Sequence, residues 1–267
     1  MAKWIGAFED IFMVGKWVSI VAGIFGVSVA GFLFLGHGGF GSGSGTVTPT
    51  PIDPGPAISR SGDAMRQLQS MNVVINGSLG AGDTSVQITG TGKLVYPHEE
   101  TLSLQLRIPA KVAGDLDTIV AVNERITKGR VLIQIPSQGP SYKDVTNEQS
   151  AQIVPGMDPV ANLAFSHAFR AADDQGDVQL DGVDVHHFSL EVSPTKYVEQ
   201  LKADPQSSLS PQAEAELINA AIQVDIWIGA SDDYVHQMKI AVTTKDIRWD
   251  MAYTYSSFVR RSSGGSA

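Results

Sequence analysis

The chain has 267 residues, 43% of them hydrophobic, with a formal charge of -9 at neutral pH and a pI near 5.0. That much apolar material suits a large folded domain, and so acidic a surface repels phosphate backbones, which excludes nucleic acid as a partner. Cysteine is absent, which excludes disulfides, thiolate metal sites, cysteine nucleophiles and an anchor on a lipidated cysteine.

Residues 1–16 read as a cytoplasmic, interfacial segment. Trp4, Ile5, Phe8, Ile11 and Phe12 recur at helical spacing, as in a short helix lying on a membrane surface. From Trp17 to Phe40 there is no Asp, Glu, Lys or Arg. About 20 apolar residues cross the hydrocarbon core of a bilayer, so 17–40 predicts a single-pass transmembrane helix. Lys3 and Lys16 precede the span and no Lys or Arg follows until Arg60, which puts the N-terminus in the cytoplasm and the bulk of the chain outside the cell membrane. Ser28-Val29-Ala30 resembles a signal-peptide cleavage site, but the apolar run from Gly31 to Leu35 continues past it. Ala22, Gly26 and Ala30 share one helix face and would let two spans approach closely as a homodimer, although lipid-embedded helices also simply tolerate small residues.

Residues 41–58 are rich in Gly and Ser, then in Pro, and read as a tether; residues 262–267 form a featureless tail. Between them, 59–261 is a domain made mostly of strands. A short helix is expected from about Gly62 to Met71. Alternation then marks Val73/Ile75/Leu79, Val86/Ile88/Leu94, the stretch Thr101–Ile108, Val131/Ile133/Ile135 and Phe188/Leu190/Val192. Asp181-Gly182 is a tight-turn signal between two such runs. Val224–Ile228 and Met238–Val242 flank the polar knuckle Ser231-Asp232-Asp233 as a β-hairpin, and Ile247, Trp249, Met251, Tyr253 and Tyr255 stripe one side of a last strand. The pattern amounts to nine or ten strands, largely antiparallel.

Helices are fewer. Asp158-Pro159, Ser193-Pro194 and Ser210-Pro211 each pair an N-cap side chain with a proline at the first helical position. The helix after Asp158 would carry Ala161, Phe165, Ala168 and Phe169 on one side. So few helices cannot cover so many half-apolar strands. Either the sheet closes on itself and fills its interior with side chains, or it stays partly open and its apolar concavity holds a ligand. The pattern leaves these two level.

The order DPVANLAFSHAF, GDVQLDGVDVHHFSLEVSP, VDIWIGASDDYVHQMKIAV resembles the LppX/LprG-type lipid-carrier lipoproteins, within the broader group that includes the LolA lipoprotein chaperone. The likeness runs in order and spacing from about Ser59 to Thr244. It implies an α+β fold in which a curved antiparallel sheet, a half-barrel, has helices over its concave face and encloses a pocket for acyl chains; here one N-terminal transmembrane helix would precede it. The family hangs from an acylated cysteine, which this chain lacks. An anchoring helix would replace it and rule out free shuttling, favouring a tethered donor, acceptor or sensor.

The pocket-lining candidates are Leu104, Leu106, Ile108, Ile133, Phe165, Phe169, Met238 and Ile240, and lipid or acyl chains are the expected ligand. Trp227 would anchor the opposite face. No cofactor and no metal site is expected. His186 and His187 are adjacent on a strand and point to opposite faces, so they cannot share a metal. Asp173-Asp174-Gln175-Gly176-Asp177 reads as a solvated turn that misses calcium-loop spacing. Gly36–Gly41 matches a dinucleotide fingerprint outside any strand-to-helix context, and Asn76-Gly77-Ser78 is a weak glycosylation sequon. No arrangement of nucleophile and base rises from the sequence, so an enzyme is not expected. The alternative to lipid binding is a scaffold with a filled core that recognises an envelope protein.

Overall fold

A computed structural model of the chain describes residues 54–96, 99–113, 116–127, 130–145, 168–203 and 211–261. The span 17–40, the helix expected after Asp158 and Phe165 lie outside them. Among the described residues no helix is long and apolar enough to cross a membrane.

Among the described residues eleven strands form one antiparallel sheet. Helix α1 (Pro54–Arg66) leads into β1 (Leu68–Ala81), β2 (Thr84–Val95) and β3 (Glu99–Ile108). A single turn of helix, α2 (Ala110–Ala113), precedes β4 (Thr118–Thr127), β5 (Arg130–Gln134) and the two-residue β6 (Lys143–Asp144). The second half comprises β7 (Phe169–Leu180), β8 (Val183–Val192), α3 (Pro194–Ala203), α4 (Pro211–Ile218), β9 (Ala221–Gly229), β10 (Val235–Thr243) and β11 (Ile247–Arg260). Spatial order is β6-β5-β4-β3-β2-β1-β11-β10-β9-β8-β7. Two meanders are therefore joined back to back by β1 against β11, a pairing that runs from Leu68↔Arg260 to Ala81↔Ile247. The order starts and ends on different strands, so the curved sheet is open.

Local chemistry explains most of these elements. Asp181 and Gly182 have φ of 51° and 83°, the paired positive values of a two-residue hairpin turn that matches strand twist. Ser193 precedes Pro194 and its hydroxyl accepts from the Lys196 N–H at 3.4 Å, capping α3. Pro211 likewise opens α4.

Three expectations are corrected. The entrance helix is Pro54–Arg66 rather than 62–71, because Ala57, Ile58, Gly62 and Met65 bury one face of it while Met71 already belongs to β1. Ala168 and Phe169 are not helical: Phe169 opens β7 opposite Val192, and the Ala168 carbonyl accepts from the Ser193 N–H at 2.8 Å. Asp173–Asp177 is no free turn but part of β7, where a bulge between Asp174 and Gly176 (φ 83°) absorbs the glycine.

Candidate functional site

One face of the sheet is buried and the other is solvated, so the core settles which face is inner. Cross-strand register arranges the inner side chains in rows. One runs Ala172, Leu190, Val224, Ile240, Met251, Gly77, Ile88, Leu106, Val120 from β7 to β4. The next runs Asp174, Phe188, Ile226, Met238, Tyr253, Ile75, Gly90, Leu104, Val122 over the same strands. A third holds Tyr255, Val73, Gly92, Leu102, Glu124 and Ile133. Strands about 4.8 Å apart and same-face residues about 6.8 Å apart make this an apolar surface on the order of 800 Å². That exceeds the few hundred Å² a monomer's largest exposed patch usually reaches.

Covering elements come from the described helices. Helix α1 lies against β7 and β9, and α3 lies against α4. Ile58 and Met65 of α1, Tyr197 and Val198 of α3 and Leu217 of α4 share one apolar cluster with the inner rows.

Curvature has a local cause. Gly77, Gly90 and Gly92 occupy inner positions, and side chains of the next strand fold over them: Met251 over Gly77, Leu104 over Gly90, Leu102 over Gly92. A Cβ on Gly90 would lie 2.6 Å from both Leu104 Cδ2 and the Ser103 carbonyl oxygen. Glycines inside strands are expected where backbones approach closely at a bend.

Polar groups interrupt the inner face at few places. The ring nitrogens of His186 lie 2.5 Å from Asp174 Oδ1 and 2.7 Å from Asp177 Oδ1, at the β7 margin. Glu124 is 1% exposed between Leu102 and Ile133. Burial raises the phenols of Tyr197 and Tyr253 above their ordinary range, with the Glu100 charge adding to the shift at Tyr253. On the opposite face His187 stacks on Trp227 with centroids 4.2 Å apart and 8° between planes, its Nε2 is 3.1 Å from Asp225, and the Lys239 ammonium lies 4.8 Å above the same indole. Trp227 thus anchors the outer face, and the two adjacent histidines do diverge.

Of the expected pocket residues, Leu104 shares a row with Met238 and Leu106 shares a row with Ile240, in each case with strands β11, β1 and β2 between them, and Ile133 ends the third row. Ile108 is inner and 1% exposed, and Phe169 is partly buried against the same core. Leu104, Leu106, Met238 and Ile240 are all 5% exposed or less. Strand β4 went unread because Glu124 falls on an inner position and breaks its alternation. The carboxylate of Asp174 went unread because its neighbours resemble a turn.

No family model matches the sequence, and no curated protein matches it. Among solved structures the chain is similar to LprF from Mycobacterium bovis, at 17% identity and a TM-score of 0.46 over 78% of this chain and 95% of that one. It is similar to the lipoprotein LppX from Mycobacterium tuberculosis, at 13% and 0.43 over 78% and 96%. A LolA superfamily protein from Nitrosomonas europaea aligns at 10% and 0.25 over 78% and 94%. The likeness is to proteins of the LppX and LolA kind. That is also the group which the order of motifs in the sequence resembles.

Proposed function

We propose that the protein is an extracytoplasmic lipid- or acyl-chain-binding module, held to the cell membrane by residues 17–40 and acting in lipid transfer or sensing. The observation that carries this is the inner face itself: rows of apolar side chains continue across nine strands of an open sheet, with α1, α3 and α4 as the described cover. An acyl chain laid on that surface gains about 0.8 kcal/mol per buried methylene, so affinity needs no chemistry. The resemblance of the motif order to lipid-carrier lipoproteins supports the same reading. Leu104, Leu106, Ile108, Ile133, Phe169, Met238 and Ile240 are the described residues proposed to meet the chain, and Phe165 completes the set.

A second reading has an observation of its own. Side chains exposed by 5% or less along the inner face are what a filled interior produces, and a scaffold that recognises an envelope protein would use such a core. Lipid entry then requires the covering helices to move away from the sheet. Titration with a fluorescent fatty acid separates the two. Saturable binding by the full chain, weakened by Met238→Ser or Leu104→Ser, supports lipid binding. Failure of the folded chain to bind the probe, even after prolonged incubation with it, leaves the scaffold.

A further inference from the structure

Helix α1 buries one face, made of Ala57, Ile58, Ser61, Gly62 and Met65. Ser61 stands at its centre, one helical turn from Ala57 and Ile58 on one side and from Met65 on the other. It is 0% exposed and is the one polar side chain in that buried set. Its hydroxyl has no hydrogen-bond partner among the described residues. Ala57, Ile58 and Met65 belong to the same apolar cluster as the inner rows, so the hydroxyl on their face is turned into the layer between α1 and the sheet. A hydroxyl buried without a partner costs free energy. Alanine would fit the same place without that cost and is the better helix former. Water does not answer the hydroxyl, because a buried water needs about two to four polar partners and the backbone in mid-helix is already bonded within α1.

We propose that Ser61 donates a hydrogen bond to the ester carbonyl of a lipid held between α1 and the inner face. The proposal rests on the acyl-binding reading above and adds where the polar end of the ligand lies. A carbonyl oxygen accepts and donates nothing, which suits a lone hydroxyl among apolar neighbours. A phosphate or sugar headgroup would bring more polar atoms into this place than one hydroxyl can satisfy. An ester also fits better than a free carboxylate. Helix α1 lies against β7, whose inner face carries Asp174 beside His186, so a second carboxylate would meet like charge. The cation next to Ser61, Arg60, is engaged with Asp233 at 3.6 Å.

The test compares Ser61→Ala with the parent as full-length, delipidated protein in an alkyl maltoside, a detergent without an ester. Equilibrium binding of radiolabelled methyl palmitate, palmitate and hexadecane is measured for both proteins, and the ratio of parent to variant for each ligand cancels partitioning into micelles. Methyl palmitate is expected to bind about three- to tenfold more weakly to Ser61→Ala, with hexadecane unchanged. The stretching band of an isotope-labelled carbonyl in bound methyl palmitate should move to higher frequency in the variant, as it does when a hydrogen bond is lost. Equal losses for methyl palmitate and hexadecane would mean altered packing and overturn the proposal, as would no loss for either or a loss confined to palmitate. Lipid-free Ser61→Ala is expected to unfold at a urea midpoint no lower than that of the parent. A lower midpoint would show that the hydroxyl already has a partner within the protein, which also overturns the proposal. A parent that binds none of the three ligands would instead retire the acyl-binding reading, and this assignment with it.

Discussion

Replacing Gly90 with alanine tests whether the glycines of the inner face shape the sheet. The new Cβ would stand 2.6 Å from Leu104 Cδ2, 2.6 Å from the Ser103 carbonyl oxygen and 3.2 Å from Leu104 Cα. A leucine methyl can swing aside, but the carbonyl is backbone of the paired strand and can yield only by opening the β2–β3 ladder. Overpacking of this kind costs about 1–3 kcal/mol. The lower entropy of an unfolded alanine returns about 0.4–1 kcal/mol, which leaves a net loss of about 1–2 kcal/mol. With a urea slope of about 2 kcal/mol/M, the midpoint falls by about 0.5–1 M. Urea unfolding of the full chain in detergent, followed by near-ultraviolet circular dichroism, reads this directly. Thr91→Ala, on the solvated face next door, is the control and should stay within about 0.5 kcal/mol of the parent. In the Gly90→Ala background, Leu104→Ala should cost about 1 kcal/mol less than in the parent, because one of the clashing atoms is gone. A Gly90→Ala protein as stable as its parent would refute the idea that close approach of β3 over β2 requires glycine there.

Three further outcomes follow from the same geometry. Tyr197 and Tyr253 hold their protons more tightly folded than unfolded, so their stabilisation is complete below the ordinary phenol value of 10.0 and is lost as pH climbs beyond it. Stability should fall by about 1 kcal/mol for each phenol between pH 10 and 11, with a slope approaching about 1.4 kcal/mol per pH unit above that, and a flat profile contradicts their burial. His187→Ala removes the ring stacked on Trp227 and should cost about 0.5–1.5 kcal/mol, with tryptophan emission shifting to the red; unchanged emission would mean that His187 does not shield the indole. Gly182→Ala puts a side chain at φ 83° and should destabilise by about 1 kcal/mol, whereas equal thermal midpoints would deny the primed turn between β7 and β8.

Much of the β architecture is legible in the sequence because its two signals are local. Alternation in Leu102, Leu104, Leu106 and Ile108 needs only a sheet with one dry face, and Asp181-Gly182 specifies a tight turn without any tertiary help. Serine before proline marked the starts of α3 and α4 for the same reason. The misreadings occur where tertiary structure overrides local preference. Asp and Gly are poor strand formers, yet Asp174 and Asp177 remain in β7 because His186 of β8 lies between them, and Gly176 is taken up by a bulge. Ala168 and Phe169 fit a helical stripe, but register with Val192 draws Phe169 into the sheet. Pairing of β1 with β11, across nearly the whole domain, leaves no local trace at all. Neither does the identity of the inner face, which follows only once the rows are assembled.

Whether the inner face receives an acyl chain is tested most directly by native mass spectrometry of the full-length chain, purified in a detergent that does not strip bound lipid. A mass excess of one acyl-bearing molecule per chain, lost after organic extraction and restored by adding lipid, is the result expected. A chain that emerges at its bare sequence mass, and stays there when lipid is supplied, would contradict it.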